Sequence, residues 1–242
     1  MEEQQISQTS QPVANVNSFI PIGDLLKKSF NVYLSIWKPL VLLILLMYGV
    51  MIGLFLILVM LGIVSGFTSP DFSTSSLFAI LLFLVVMAIV VLLSVWTQVA
   101  MMYVVKERSN PIGVKQALAV GWSKISSFVW IGFLSGLAVL GGFILFIVPG
   151  IIFAIWFTFS AYVFISEGVV GTKALSRSKQ LVSGNWWGVF GRFFVGFFVV
   201  GLIMMVVSWI PLVGSIANSL FTTPFFVIYT YLMYEDLKRL KG

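Results

Sequence analysis

Long apolar blocks constrain this chain more than any other feature. They run from about Pro39 to Val64, Leu77 to Val105, Ser127 to Val148, Ile151 to Ser166, Trp187 to Ile210 and Val213 to Tyr234, and the only charge inside them is Arg192. About 20 such residues in a helix cross about 30 Å of hydrocarbon. In lipid every backbone amide must be paired within a helix or a closed barrel, and blocks this continuous lack the short alternation of barrel strands. The pattern therefore predicts an all-α integral membrane protein with six transmembrane helices. Composition agrees: 60% of residues are hydrophobic and 9% charged, against roughly a quarter charged in soluble domains.

The spacing of the blocks predicts three hairpins. Pro149-Gly150 joins the third block to the fourth, and Pro211 to Gly214 joins the fifth to the sixth. Pro224 lies inside the sixth, where its ring displaces a backbone hydrogen bond; a kink is expected there, with Thr222 and Thr223 re-pairing the freed groups.

All 14 basic residues fall before the first block, between the second and third, around the approach to the fifth, or after the sixth. The remaining connections carry only Asp71. The positive-inside rule then places both termini in the cytoplasm. Since the chain has no cysteine, a cysteine at Ser73 should react with an impermeant maleimide in intact cells, whereas reaction of Ser178→Cys would invert the topology. Residues 1–18 are polar, carry Glu2 and Glu3, and lack the basic and apolar regions of a secretion signal. They read as a disordered cytoplasmic tail, leaving 19–242 as one membrane domain.

Similar units precede the first, third and fifth blocks: PIGDLLKKSFNVYLSIWKPL at 21–40, PIGVKQALAVGWSKISSFVW at 111–130 and GTKALSRSKQLVSGNWWGVF at 171–190. Aligning Leu26, Leu118 and Leu175 brings Ser29, Gly121 and Ser178 into register, and then Tyr33, Ile125 and Val182. Each unit reads as an amphipathic interfacial helix feeding a transmembrane hairpin, with Trp37, Trp122, Trp130, Trp186 and Trp187 at headgroup level. Two spans per copy insert all three copies in the same orientation, unlike inverted transporter repeats.

Residues 146–190 carry Pro149-Gly150, Glu167-Gly168, Ala174-Leu175, Ser178 and Asn185-Trp186-Trp187. In these features the segment resembles the prokaryotic membrane-domain family found fused to some glycerophosphodiester phosphodiesterases and also as stand-alone proteins. The resemblance implies a helical bundle in a bacterial or archaeal plasma membrane. It implies no phosphodiesterase activity, because the chain lacks the histidines and acidic cluster such hydrolases use.

The candidate lipid or partner contacts are Lys124, Glu167, Lys173, Arg177, Lys179, Trp186, Trp187 and Arg192. Glu167, close to Lys173 and Arg177, reads first as a structural ion pair or helix cap. Arg192, five residues past Trp187, reads as snorkelling to phosphate. Ser94, Thr97 and Gln98 share a helix face and are expected to bond a neighbouring helix. The pairs Gly49 and Gly53, Gly62 and Gly66, and Gly132 and Gly136 are expected to pack helices within the chain.

Zero cysteines and zero histidines remove thiolate chemistry and the commonest base and metal ligand. Ser176 and Ser178 beside Lys179 lack the nucleophile elbow that a serine hydrolase needs. No catalytic, cofactor or metal site is expected. The basic residues sit at membrane entry points, where anionic headgroups suffice as partners, so nucleic acid is not expected. The leading expectation is a non-enzymatic scaffold or accessory subunit that binds a membrane-protein partner or anionic lipid. The alternative is a transporter or channel component for lipid or apolar solute, since no block has a central charge to serve an ion.

Overall fold

The computed structural model describes residues 19–60, 62, 74–209 and 213–241. The expected tail at 1–18, most of the Ser65 to Ser76 connection and the start of the Pro211 turn lie outside the described residues. The described chain is all-α: α1 (Ile22–Met60), α2 (Thr74–Lys106), α3 (Val114–Leu145), α4 (Ile147–Phe157), α5 (Ser160–Glu167), α6 (Thr172–Val182), α7 (Trp186–Val207) and α8 (Val213–Lys241). Five stretches are long and apolar enough to cross a membrane: Ile22–Met60, Ile80–Lys106, Val114–Leu145, Ile147–Glu167 and Trp186–Val207. The expected sixth span falls in α8, which is less apolar in its described part; Asn218, Thr222, Thr223 and a tyrosine-rich stretch interrupt it.

The helices exceed the expected blocks where a basic amphipathic segment runs straight into one. At about 1.5 Å per residue, the 39 residues of α1 and 32 of α3 extend well past the hydrocarbon core. Ile36 leaves helical geometry (φ −122°, ψ 19°) just before Pro39, so α1 bends where the basic segment meets the span. The third unit separates fully into two helices, α6 and α7, at Ser183-Gly184-Asn185, with Gly184 at φ 84°. That left-handed conformation suits glycine.

The third-to-fourth connection turns at Phe146 (φ −166°, ψ 160°), three residues before the expected Pro149. Pro149 instead occupies the first turn of α4, where a missing N–H costs no helical bond. The chain doubles back so closely that a Cβ on Gly142 would lie 2.9 Å from the Gly150 Cα, and one on Gly150 2.5 Å from the Phe143 ring.

Helix α8 passes through Pro224 without leaving helical geometry. Four residues earlier the carbonyl of Leu220, which a proline cannot bond, accepts the Tyr33 hydroxyl of α1 at 3.3 Å. Thr222 bonds the Asn218 side chain instead. The freed carbonyl is thus satisfied from another helix.

Burial is concentrated where the basic residues lie. Consecutive residues Val99 to Val105 of α2, Tyr162 to Ile165 of α5 and Val227 to Tyr234 of α8 are buried. These segments form an inner layer, and α1, α3 and α7 surround it. Each basic amphipathic segment packs on another helix: α3 on α2, α6 on α4 and α5, and α1 on α8. At the aligned repeat positions Leu25, Ala117 and Ala174 are fully buried, and so are Ser29, Gly121 and Ser178 one turn later. The contacts at this small-residue position differ. Gly121 lies against the Trp96 indole, whose Nε1 donates to the Leu118 carbonyl at 2.8 Å. Ser178 donates to the Trp156 carbonyl at 2.6 Å, and Ser29 bonds back to Leu25 within its own helix.

Candidate functional site

The charged chemistry gathers around the end of α8, Tyr234-Glu235-Asp236-Leu237-Lys238-Arg239. Tyr234 donates to Glu167 at 2.7 Å, and Lys238 approaches the same carboxylate at 3.3 Å, joining α8 to the end of α5. The Arg108 Nη2 donates to both Glu235 carboxylate oxygens, at 3.0 and 2.8 Å, while its Nη1 donates to the Val105 carbonyl at 3.3 Å, which ties α8 to the end of α2. Arg108 also lies over the Tyr231 ring at 5.5 Å. The Asp236 carboxylate is fully buried; it accepts the Ile20 amide at 3.0 Å and Arg239 at 2.6 Å. One helical turn thus reaches α2, α5 and the segment before α1.

Arg192 turns inward. It is 8% exposed, donates to the Gly188 and Ile20 carbonyls at 3.1 and 2.9 Å, and lies 4.0 Å over the Phe19 ring. Tyr229 donates to the Arg192 carbonyl at 2.8 Å, an approach allowed by Gly196, where a Cβ would meet the tyrosine ring at 3.1 Å. The expected reach to lipid phosphate is replaced by a clasp on the segment preceding α1. The Nε atom of Arg192 and the indole nitrogen of Trp186 are enclosed with no acceptor among the described residues.

The other sequence-derived candidates divide in two. Glu167 and Arg177 meet at 3.4 Å, as an internal ion pair. Lys124, Lys173, Lys179 and Trp187 are exposed, and Trp186 is half-buried. Ser94 bonds the Val90 carbonyl of its own helix rather than a neighbour. Thr97 is buried and Gln98 half-buried. Nothing packs within 4 Å of a Cβ placed on Gly49, Gly53, Gly132 or Gly136; the close glycine contacts are at Gly121, Gly142, Gly150, Gly188 and Gly196 instead. Gly66 lies outside the described residues.

Arg108, Tyr234, Glu235, Asp236 and Lys241 carry contacts that sequence reasoning passed over. A signal was present: adjacent Glu235 and Asp236 directly follow an apolar block in a chain with only eight acidic residues, so internal partners were to be sought for them.

Most cations divide by residue type, although Lys106 pairs with Glu107 at 3.7 Å and Lys238 with Glu167 at 3.3 Å. Arg108, Arg177 and Arg239 pair with carboxylates, and Arg192 is buried. Lys27, Lys28, Lys38, Lys115, Lys124, Lys173, Lys179 and Lys241 are all exposed, with no carboxylate within 4.0 Å among the described residues. The compact, strongly hydrated ammonium suits that outward position. Among the described residues no group of three or more His, Cys, Asp or Glu is placed to hold a metal.

Two apolar grooves flank α7. One, of about 530 Å³, is lined by Val148, Ile151, Ile152, Trp156, Trp186 and Phe190, with Ser183 and Gly184 at its basic end. The other, of about 510 Å³, lies between α1, α7 and α8 and has Lys27 on its wall.

Long apolar helices, a lysine-rich end and lipid-scale grooves define a multi-pass helical membrane protein. No family model, curated protein or solved structure matches the chain.

Proposed function

We propose that this chain is a non-enzymatic membrane protein whose lysine-rich end binds anionic lipid, acting as a scaffold or accessory subunit at the plasma membrane of a bacterium or archaeon. The observation that carries the reading is the division of cations. The protein's own carboxylates engage three arginines and only two of the ten lysines, Lys106 and Lys238, while the other eight lysines are exposed and keep no carboxylate partner among the described residues. Each lysine near a membrane surface contributes about 1 kcal/mol of attraction to acidic lipid.

The topology proposed with it has six spans in three hairpins, both termini cytoplasmic. It is supported by the matched burial of Leu25, Ala117 and Ala174 and of Ser29, Gly121 and Ser178. The likeness of residues 146–190 to the membrane domains fused to glycerophosphodiester phosphodiesterases supports a bundle and lends no catalytic role. Ser178 is buried beneath Trp156 and would report poorly on topology, so Ser176→Cys, on the exposed face of α6, is the better probe. In intact cells a cysteine at Ser73 should label with impermeant maleimide and one at Ser176 should not.

Extraction into native-lipid nanodiscs followed by mass spectrometry tests the function. Enrichment of anionic phospholipid over the bulk membrane, alone or with a stoichiometric membrane protein, is the expected outcome. A lipid shell of bulk composition with no partner would refute it and favour transport of lipid or apolar solute.

A further inference from the structure

The groove between α4 and α7 has more than an apolar lining. Two ammonium groups, from lysines outside the lining itself, each touch a residue that lines it. The Lys179 Nζ lies 4.3 Å over the ring of Trp156, itself a wall of the groove. The Lys241 Nζ donates to the carbonyl of Ser183, a rim residue, and to that of Gln180 at 2.9 Å. It also lies 3.8 Å from where a Cβ on Gly184 would stand. Neither lysine has a carboxylate within 4.0 Å among the described residues. From this lip the groove follows α4 from Trp156 back to Val148, about 12 Å at the helical rise.

We infer that this groove is a binding site for one anionic phospholipid, with an acyl chain lying along Trp156, Ile152 and Val148 and the phosphate held by Lys179 and Lys241. The inference rests on the anionic-lipid reading above and gives it a location. Three features select this occupant. An apolar trough that ends at two cations has the polarity of an acidic lipid, read from headgroup to chain. Its volume falls within the range of about 300–1,000 Å³ typical of small-molecule sites. Its length is under half the hydrocarbon thickness of about 30 Å, too short to seat a partner's spanning helix along its whole length. Gly184, at φ 84°, turns the chain from α6 into α7 and so sets the lip against the trough.

The test uses the full chain, purified in mild detergent, with phosphatidylglycerol and phosphatidylcholine as probes. Retained lipid is counted by native mass spectrometry, and chain contact is read from quenching of tryptophan fluorescence by acyl-brominated phosphatidylglycerol. One phosphatidylglycerol should be retained per chain after phosphatidylcholine has washed away. Lys179→Ala with Lys241→Ala should weaken that retention about thirtyfold, following the attraction of each lysine for an acidic headgroup, whereas replacing both with arginine should largely preserve it. Ile152→Trp, which narrows the trough, should release phosphatidylglycerol and reduce the quenching while leaving both lysines in place.

Lys115→Ala with Lys124→Ala removes the same charge from α3 and is the comparator. If it weakens retention as much as the Lys179 and Lys241 pair does, the groove site is overturned while the broader lysine-layer reading stands. Equal retention of both lipids by the unaltered chain would overturn the two together. A co-purifying protein released by Ile152→Trp, with lipid retention unchanged, would assign the groove to that protein and also overturn the site.

Discussion

The basic end and the opposite end of this molecule are built from the same helices under different rules. At the basic end α2, α5 and α8 bury consecutive residues and are tied together by Glu167 and Glu235, while Asp236 ties α8 to the segment before α1. Toward the other end Ile52, Phe55, Leu84, Ile144, Phe146, Phe197 and Met205 all stand exposed. In water such exposure would be costly, but lipid tails are as apolar as leucine and provide no hydrophobic force to close helices on one another. Order at the basic end comes from hydrogen bonds, charge pairs and close packing. At the opposite end the described order depends on shape, and it is concentrated in the Gly142 and Gly150 approach.

The strongest way to break this contrast is to remove the buried charge on which the basic end depends. Asp236→Ala should destabilise the folded protein by about 3 kcal/mol, because it leaves the Ile20 amide without its acceptor and removes the carboxylate that neutralises this region around Arg192. Thermal stability of a fluorescent fusion in mild detergent measures the loss, and Asp236→Asn should recover part of it. A loss under about 1 kcal/mol would show that the network is ornamental.

Gly142→Ala attacks the exception at the opposite end. Its new methyl group meets the Gly150 backbone as well as the Phe153 ring at 2.9 Å, and backbone cannot swing away, so α3 and α4 must part, at a cost of about 1–3 kcal/mol. Gly150→Ala meets first the Phe143 ring, at 2.5 Å, and should cost less if that side chain can turn away. Equal costs would imply that Phe143 is as fixed as backbone.

Tyr33→Phe removes the hydroxyl that satisfies the Leu220 carbonyl and should cost about 0.6–1.7 kcal/mol. In a Pro224→Ala background the helix supplies its own donor, so the same change should cost less. Strict additivity in this double-mutant cycle would exclude the proposed compensation.

Arg108→Lys replaces a guanidinium that bonds both Glu235 oxygens and the Val105 carbonyl with a point charge. Because both side chains are partly exposed, at 23% and 37%, the loss should stay within about 0.2–1 kcal/mol. The smallest effect is expected at Gly49 and Gly53, which face no neighbour within 4 Å. Alanine at both positions should change stability by less than about 0.5 kcal/mol, and a larger loss that depends on protein concentration would instead reveal a helix–helix interface between copies.

The candidate site was legible in the sequence where its partners are near one another. Glu167 and Arg177, ten positions apart, could be paired by inspection, and Lys179, Trp186 and Trp187 read directly as a membrane-entry group. Lys241 could not be assigned to the groove, because its neighbours Gln180 and Ser183 lie 61 and 58 positions away. Arg192 misled for a related reason: a lone arginine near the start of a span looks the same whether it reaches out to phosphate or in to a carbonyl 172 positions distant.

By itself the sequence determined the membrane class, the helical secondary structure and the gathering of positive charge toward one set of helix ends. These follow from run length and charge order, which are one-dimensional properties set by hydrocarbon thickness and by the cost of burying charge. Only the tertiary structure decided which cations are internal and which are available, since Arg108 finds Glu235 across 127 positions and Asp236 finds the Ile20 amide across 216. It also decided which glycines pack, because a small residue admits a neighbouring helix without specifying one. The physical reason is common to both: a hydrogen bond or a close contact is fixed by distance in space, and folding brings together positions whose order along the chain holds no record of that distance.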